Sequence, residues 1–253
     1  MTLREHDNPG YDAEHYDRKY FEGHVVRYER GVYRQRVKNV ARFMGDVAGR
    51  RVLDLGCGVG FFGGEAARRG ARVCGLDFSA MALEICHARL PALGLVRADA
   101  TKVPFVSGSF DVVLVNDIIE HLAEEPGRAM MQEVQRLLRP GGRLVLDTDN
   151  EAFLFHRKGF RRLNDWLERD TEQRTTLRDI KRTFNAPTLH IKIYSVTELR
   201  ALIEGVGFEV EAFDTYTYID APGRDRWLNL PGLASLLRSV KGDVQIFGAR
   251  KRG

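Results

Sequence analysis

Short apolar runs alternate with amphipathic stretches through most of the first 150 residues. Val52-Leu53-Asp54-Leu55 runs into a glycine-rich turn and predicts a buried parallel strand. Phe61 to Arg69 has helical spacing, and Gly70 stops it. The segment ARVCGLD predicts a second strand, Ser79 caps a helix to about Arg89, and LGLVRAD predicts a third strand. FDVVLVND, almost wholly apolar, is a fourth. A helix follows from about Gly127 to Leu138, with Met131, Val134, Leu137 and Leu138 on one face. Arg139-Pro140-Gly141-Gly142 is expected to break it sharply before a fifth strand, RLVLDT. Five strands separated by helices predict a parallel sheet covered on both faces. Upstream, residues 1–24 are polar and tyrosine-rich and read as an irregular arm. The spacing of Val32, Val37, Val40 and Phe43 predicts one helix from about Val25 to Met44.

After Asp149 the rhythm changes. Residues 151–190 hold helical segments and no convincing strand, which predicts an inserted lid. Ser195 and Glu198 form a capping box for a helix to about Val206. FEVEAFDTYTYI and DVQIFGARK alternate as strands do and are expected to close the sheet as a long-looped pair. The organisation predicted is therefore an amino-terminal arm and helix over 1–45, a core over 46–150, a helical lid over 151–194, and completion of the sheet over 195–253.

Composition narrows the class without deciding it. The 253 residues are 43% hydrophobic and 29% charged, as in an ordinary globular protein, and no run reaches the ~18 apolar residues of a membrane-spanning helix. Met1 to Gly10 lacks the apolar centre of a secretory signal. Cys57, Cys74 and Cys86 offer neither a disulfide framework nor a metal-binding spacing, so a cytoplasmic setting and no metal are expected. A net charge of +4 gives no reason to expect nucleic acid. The arginines and lysines between Arg157 and Arg182 are interleaved with acids and read as a solvated helical face.

The chemistry sits in V-L-D-L-G-C-G-V-G, Val52 to Gly60. Glycines at alternate positions let the backbone turn at a strand end and approach a ligand closely. Asp54 precedes them, and Asp77 ends the second strand, where a carboxylate reaches a ribose diol. Together they predict a nucleoside-type cofactor crevice. Gly58 to Gly63 also satisfies the dinucleotide pattern GxGxxG. Against that reading stand Asp54 and Gly56, which lie outside the fingerprint, and the lack of a second nucleotide-binding half.

DLGCGVG, GLDFS, RADATKVPF, FDVVLVNDIIEHL and LRPGGRLVLDT follow one another in the order and spacing of the class I S-adenosylmethionine-dependent methyltransferases. The chain resembles their small-molecule branch, which includes the type 11 domains and the ubiquinone-biosynthesis O-methyltransferases. The resemblance implies a Rossmann-like, doubly wound α/β fold with a seven-stranded, mostly parallel sheet whose last strand is antiparallel, and a lid inserted after the fifth strand. It implies S-adenosylmethionine as cofactor and S-adenosylhomocysteine as product. Asp54, Gly56 and Gly58 would bound the methionine moiety, with Gly60 opening the helix beneath it. Asp77 would hold the ribose hydroxyls, with Phe78 flanking the adenine. Asp99 would meet the adenine amino group, Ala100 the ring, and Asn116 the methionine portion. Arg36 matches an arginine that contacts the carboxylate.

The activity expected is methyl transfer to a small-molecule acceptor, most readily a hydroxyl oxygen, by in-line displacement. The alternatives are an NAD(P)-dependent oxidoreductase, or a non-catalytic cofactor-binding protein of the same fold. Two histidines are candidate bases: His121, after the fourth strand, and His190, before the Ser195 helix. Each has a plain alternative as a turn or junction residue. Tyr11, Tyr16, Tyr20 and Tyr28 are candidates to close over the site, or simply to pack. The apolar patch Trp227 to Leu237 is a candidate for peripheral membrane contact, against core or dimer packing; a monomer or homodimer is expected.

Overall fold

Strand β1 (Arg51–Leu55) is buried at every position after Arg51, the mark of a strand covered on both faces. The computed structural model describes residues 18–29, 33–150, 191–216 and 244–252. In them β1 is joined by β2 (Arg72–Asp77), β3 (Gly94–Arg97), β4 (Phe110–Asn116), β5 (Leu138–Asp149), β6 (Phe208–Tyr216) and β7 (Val244–Lys251). They form one sheet in the order β3-β2-β1-β4-β5-β7-β6. The first five strands are parallel; β7 lies between β5 and β6 and is antiparallel to both.

Alternation along the strands sends successive side chains to two separate cores. One face packs Val52, Val112, Leu114, Val145 and Ile246 against Val40, Phe43 and Met44 of α2 (Arg34–Met44). The other packs Leu53, Val113, Val115 and Leu144 against two helices. These are α5 (Glu124–Leu137), through Met130, Val134 and Leu137, and α6 (Val196–Gly205), through Leu199 and Ile203. Between α2 and α5 in the chain come α3 (Phe61–Arg68) and α4 (Ala80–Arg89), the latter capped by Ser79 Oγ accepting from the Ala82 amide.

Three boundaries differ from expectation. The amino-terminal region holds α1 (Arg18–Glu29) as well as α2, where one helix from Val25 and an irregular arm to residue 24 were expected. Only Phe21 of α1 is buried, so its apolar pattern is too thin to read. Helix α5 starts at Glu124 rather than Gly127, because Pro126 sits in the first turn, where no amide is needed, and two glutamates favour that helix end. Arg139-Pro140-Gly141-Gly142 does not separate α5 from the strand. β5 begins at Leu138 and absorbs the glycines as an irregularity opposite Phe110 and Val112, with Gly141 at φ 68°. Ser195 and Glu198 make the capping box as expected. Residues 151–190 of the lid segment, with His190, and the Trp227–Leu237 patch lie outside the described residues, as do Tyr11 and Tyr16. Among the described residues no helix is long and apolar enough to cross a membrane.

Candidate functional site

The glycine turn is stitched to the end of β2. The Leu76 carbonyl accepts from the Gly56 amide at 2.8 Å and from the Cys57 amide at 2.9 Å. Gly56, Gly58 and Gly60 have φ of 71°, 51° and 84°, a left-handed path that side chains resist. A Cβ at Gly60 would lie 2.6 Å from Cys86 Sγ, so that glycine lets the turn pack under α4. A Cβ at Gly58 would meet nothing within 4 Å; its side of the turn is open.

Asp54, fully inside, accepts from the Gly63 amide in the first turn of α3 at 2.8 Å. Burial pushes its carboxyl up to about 7, against the opposing Gly63 hydrogen bond. Asp77 accepts from the Gly58 amide at 2.7 Å and the Ser79 amide at 2.8 Å. Burial raises its pKa too, although these amides pull it back. It therefore fixes the glycine turn from the next strand while remaining half-buried. Arg97 lies 5.9 Å over the Phe78 ring. Asp99 is shaped into a turn by the Thr101 amide and hydroxyl, both at 2.8 Å, and Ala100 packs on the core beside it.

At the end of β4 the arrangement is ionic. Asp117 takes φ 49°, the one non-glycine left-handed residue among those described. Its carboxylate grips the Arg36 guanidinium through Nη1 and Nη2. From the other side Asp147 in β5 receives Nε and Nη2 of Arg36, both at 2.8 Å, and Tyr216 donates its hydroxyl to Asp147 at 2.6 Å. Burial raises Asp147 in spite of Arg36. At Asp117 burial pushes upward as well, but the charge and hydrogen bonds of Arg36 outweigh it and hold the carboxyl below the usual range. The guanidinium expected to meet a cofactor carboxylate is thus clamped by two protein carboxylates. Asn116, in register with Asp147, is 4% exposed, and neither atom of its amide has a partner. A buried unpaired amide is unusual and fits a site completed by a ligand.

Over this end lies α1. His24 Nδ1 and the Tyr33 hydroxyl share a hydrogen bond of 3.1 Å, and Tyr20 stands 4.5 Å from the His24 ring, centroid to centroid. Burial, aided by Arg27, pushes His24 down to about 4, so the imidazole is neutral. Tyr28 stacks on Phe61 at 4.3 Å, and Arg89 reaches the Val59 carbonyl of the glycine turn. His121 ends a short 3-10 turn (Ile119–His121), and its charge bears on Asp117. Glu120 in that turn is fully buried, accepts from Thr148 Oγ1 at 2.7 Å, and is raised well above the usual range by burial and by Asp117.

Asp54, the three glycines, Asp77, Asn116 and Arg36 therefore gather along the carboxyl ends of β1, β2, β4 and β5. Phe78, Asp99 and Ala100 extend the line past β2 and β3. Asp147, Glu120, His24 and Tyr33 were not singled out from the sequence. Asp147 had a usable signal, an acid closing a strand as Asp54 and Asp77 do. His24 lies in the polar helix α1 and Tyr33 directly precedes α2, with no motif at either position. Among the described residues no group of three His, Cys, Asp or Glu side chains is placed to hold a metal ion.

Residues 53–146 match the family described as "Methyltransferase domain". A demethylmenaquinone methyltransferase of Clavibacter sepedonicus is 39% identical over 108 residues, 42% of this chain and 43% of the relative. A probable S-adenosylmethionine-dependent methyltransferase of Mycolicibacterium smegmatis is 30% identical over 203 residues, 80% of this chain and 63% of the relative. The chain thus spans only about half the length of these curated relatives. The crystal structure of an S-adenosylmethionine-dependent methyltransferase from Mesorhizobium loti superposes with a TM-score of 0.59, covering 85% of this chain and 96% of the other. Its 22% identity makes that a likeness of fold. The core that carries the crevice, residues 53–146, belongs to the S-adenosylmethionine-dependent methyltransferase family.

Proposed function

We propose that the protein transfers a methyl group from S-adenosylmethionine to a hydroxyl oxygen of a small-molecule acceptor. The observation that carries the cofactor assignment is the buried, unpartnered Asn116 amide at the far end of a crevice that begins at an open left-handed glycine turn. A ligand with a nucleoside beside Asp77 and an amino-acid tail between the glycine turn and Asn116 would suit that arrangement. When bound, the cofactor supplies a methyl already activated on a sulfonium. The chain's residues have to bind it, align it and keep water out. Asp77 would take the ribose diol, with Phe78 and Asp99 about the adenine and Asp54 holding the turn rigid through Gly63. Asn116 would meet the methionine portion. Arg36, clamped between Asp117 and Asp147, would act mainly by ordering that end of the site. His121 and His190 are the residues we assign to accepting the acceptor's proton. The hydroxyl acceptor is supported by the likeness to a ubiquinone biosynthesis O-methyltransferase of Alkalilimnicola ehrlichii, 37% identical over 130 residues.

The test is isothermal titration with S-adenosylhomocysteine, with NAD and NADP as controls. Micromolar binding of the homocysteine compound alone is expected, and Asp77→Ala should weaken it about a hundredfold, the worth of one or two charge-assisted hydrogen bonds. Binding of a dinucleotide instead would overturn the reading and make Gly58–Gly63 a dinucleotide fingerprint.

A further inference from the structure

At the amino ends of β1, β2 and β4, beside the last residues of α3 and α4, the surface carries a cavity of about 670 Å³. Small-molecule sites fall in the range of about 300–1,000 Å³. Apart from arginines its lining is apolar, with Val73, Leu90, Leu93 and Phe110 among it, and no acidic side chain borders it among the described residues. Arg51 and Arg72 open β1 and β2, whose other ends lead to the glycine turn and Asp77. At the rise of a strand, about 13–17 Å separates this arginine pair from the donor crevice.

Arg51 and Arg72 are partners in register on neighbouring strands, and both are exposed. Like charges placed opposite one another repel. Asp111, next in the chain to Phe110, meets Arg51 Nε at 3.5 Å and Arg139 Nε at 2.5 Å, so one carboxylate is divided between two guanidinium groups. The third lining arginine, Arg89, is turned to the Val59 carbonyl and lies 5.1 Å over the Phe61 ring. The cationic side of the cavity is therefore the Arg51–Arg72 pair. An anion between them relieves their repulsion and meets the forked donors that guanidinium groups present to carboxylates and sulfonates. A bare inorganic anion would leave the apolar lining wet, whereas a body of rings or methylenes covers it.

We infer that this cavity is a second binding site, for an amphiphilic monoanion: a carboxylate or sulfonate on an aromatic or aliphatic body. Arg51 and Arg72 take the charge, and Val73, Leu90 and Phe110 take the body. The site stands independently of the cofactor reading, and its ligand leaves the donor crevice free.

The test compares two fluorescent probes on the whole protein: 8-anilinonaphthalene-1-sulfonate, and N-phenyl-1-naphthylamine, the same ring system without the sulfonate. The sulfonate should bind saturably at one site, and more tightly than its neutral counterpart. Arg51→Gln and Arg72→Gln, both at exposed positions, should each weaken it about threefold or more, the scale of one solvent-accessible charge contact. Ala92→Trp, exposed at the rim, should fill the cavity and abolish binding. Saturating S-adenosylhomocysteine should leave the sulfonate in place. Four outcomes overturn the inference: no saturable binding, equal affinity for the neutral probe, affinity that survives the arginine substitutions or Ala92→Trp, or displacement by S-adenosylhomocysteine. None of them bears on whether the crevice at the other end of the strands binds the methyl donor.

Discussion

Asp54 in β1 and Gly63 in α3 lie so close that the Asp54 carboxylate accepts the Gly63 amide at 2.8 Å, and a Cβ on Gly63 would stand 2.9 Å from the same oxygen. The contact satisfies one of the orphan amides of the helix and locks the turn between them. It also buries a carboxyl whose pKa is raised to about 7, chiefly by burial.

That raised pKa has a definite consequence for stability. The folded state holds the Asp54 proton more tightly than the unfolded chain, so its contribution is present at acid pH. It is lost as pH rises from about 4 to about 7, by at most about 4 kcal/mol. Asp54→Asn carries no such titration. In urea denaturation at pH 5 and pH 8 the variant should therefore gain on the wild type at the higher pH. A difference that does not change with pH would mean that Asp54 titrates as an ordinary carboxyl.

Gly58→Ala and Gly60→Ala should fail in different ways. Each forces alanine into a left-handed backbone, which costs about 1–2 kcal/mol. At Gly60 the new methyl also drives into Cys86 Sγ, at 2.6 Å, and Leu90 Cδ1, at 2.9 Å. Overpacking of that kind costs a further ~1–3 kcal/mol, so Gly60→Ala should melt at least about 3 °C below Gly58→Ala. Gly58→Ala should stay folded but bind S-adenosylhomocysteine more weakly, since its methyl enters open space at the crevice. Equal melting points for the two variants would contradict the packing assigned to Gly60.

Arg36→Leu leaves Asp117 and Asp147 facing each other without their cation. At pH 8 the loss should be about 3–5 kcal/mol, as for other buried pairs broken on one side. With the guanidinium gone, both folded-state pKa values rise above those of the unfolded chain. The stability these carboxyls retain is then greatest at acid pH and falls as pH rises. Urea midpoints should accordingly show a smaller loss at pH 5 than at pH 8; an equal loss at both would show that these carboxyls are not electrostatically coupled to Arg36.

What the sequence disclosed follows its periodicities. β1, β2 and β4, with the glycine turn, were legible because strand burial and turn geometry are local demands on residue type. Asp54 and Asp77 were legible for the same reason, as acids closing apolar runs. The ionic contact of Arg36 with Asp117 and Asp147 was not, because Arg36 and Asp147 lie 111 positions apart and meet only through the packing of α2 on the sheet. Helix α1 escaped because it is held by one buried phenylalanine, ring contacts and the exposed Arg18–Glu84 pair, none of which leaves a period in the chain. The start of β5 escaped because Pro140 and two glycines read as a terminator, whereas the sheet tolerates them as an irregularity at its rim.

The antiparallel insertion of β7 places Asp149, Val244 and Tyr216 side by side in one row. Both stretches outside the described interior, 151–190 and 217–243, therefore join the core at this end of the sheet. The first also rejoins it there, where the Ile191 amide donates to the Glu120 carbonyl at 2.8 Å. The residues we assign to the cofactor are carried mainly by β1 to β4 and the turns that follow them, earlier in the chain. On the assignment proposed here, exchanging either stretch leaves those strands untouched. A laboratory swap of residues 151–190 between relatives would be the corresponding way to redirect such a scaffold.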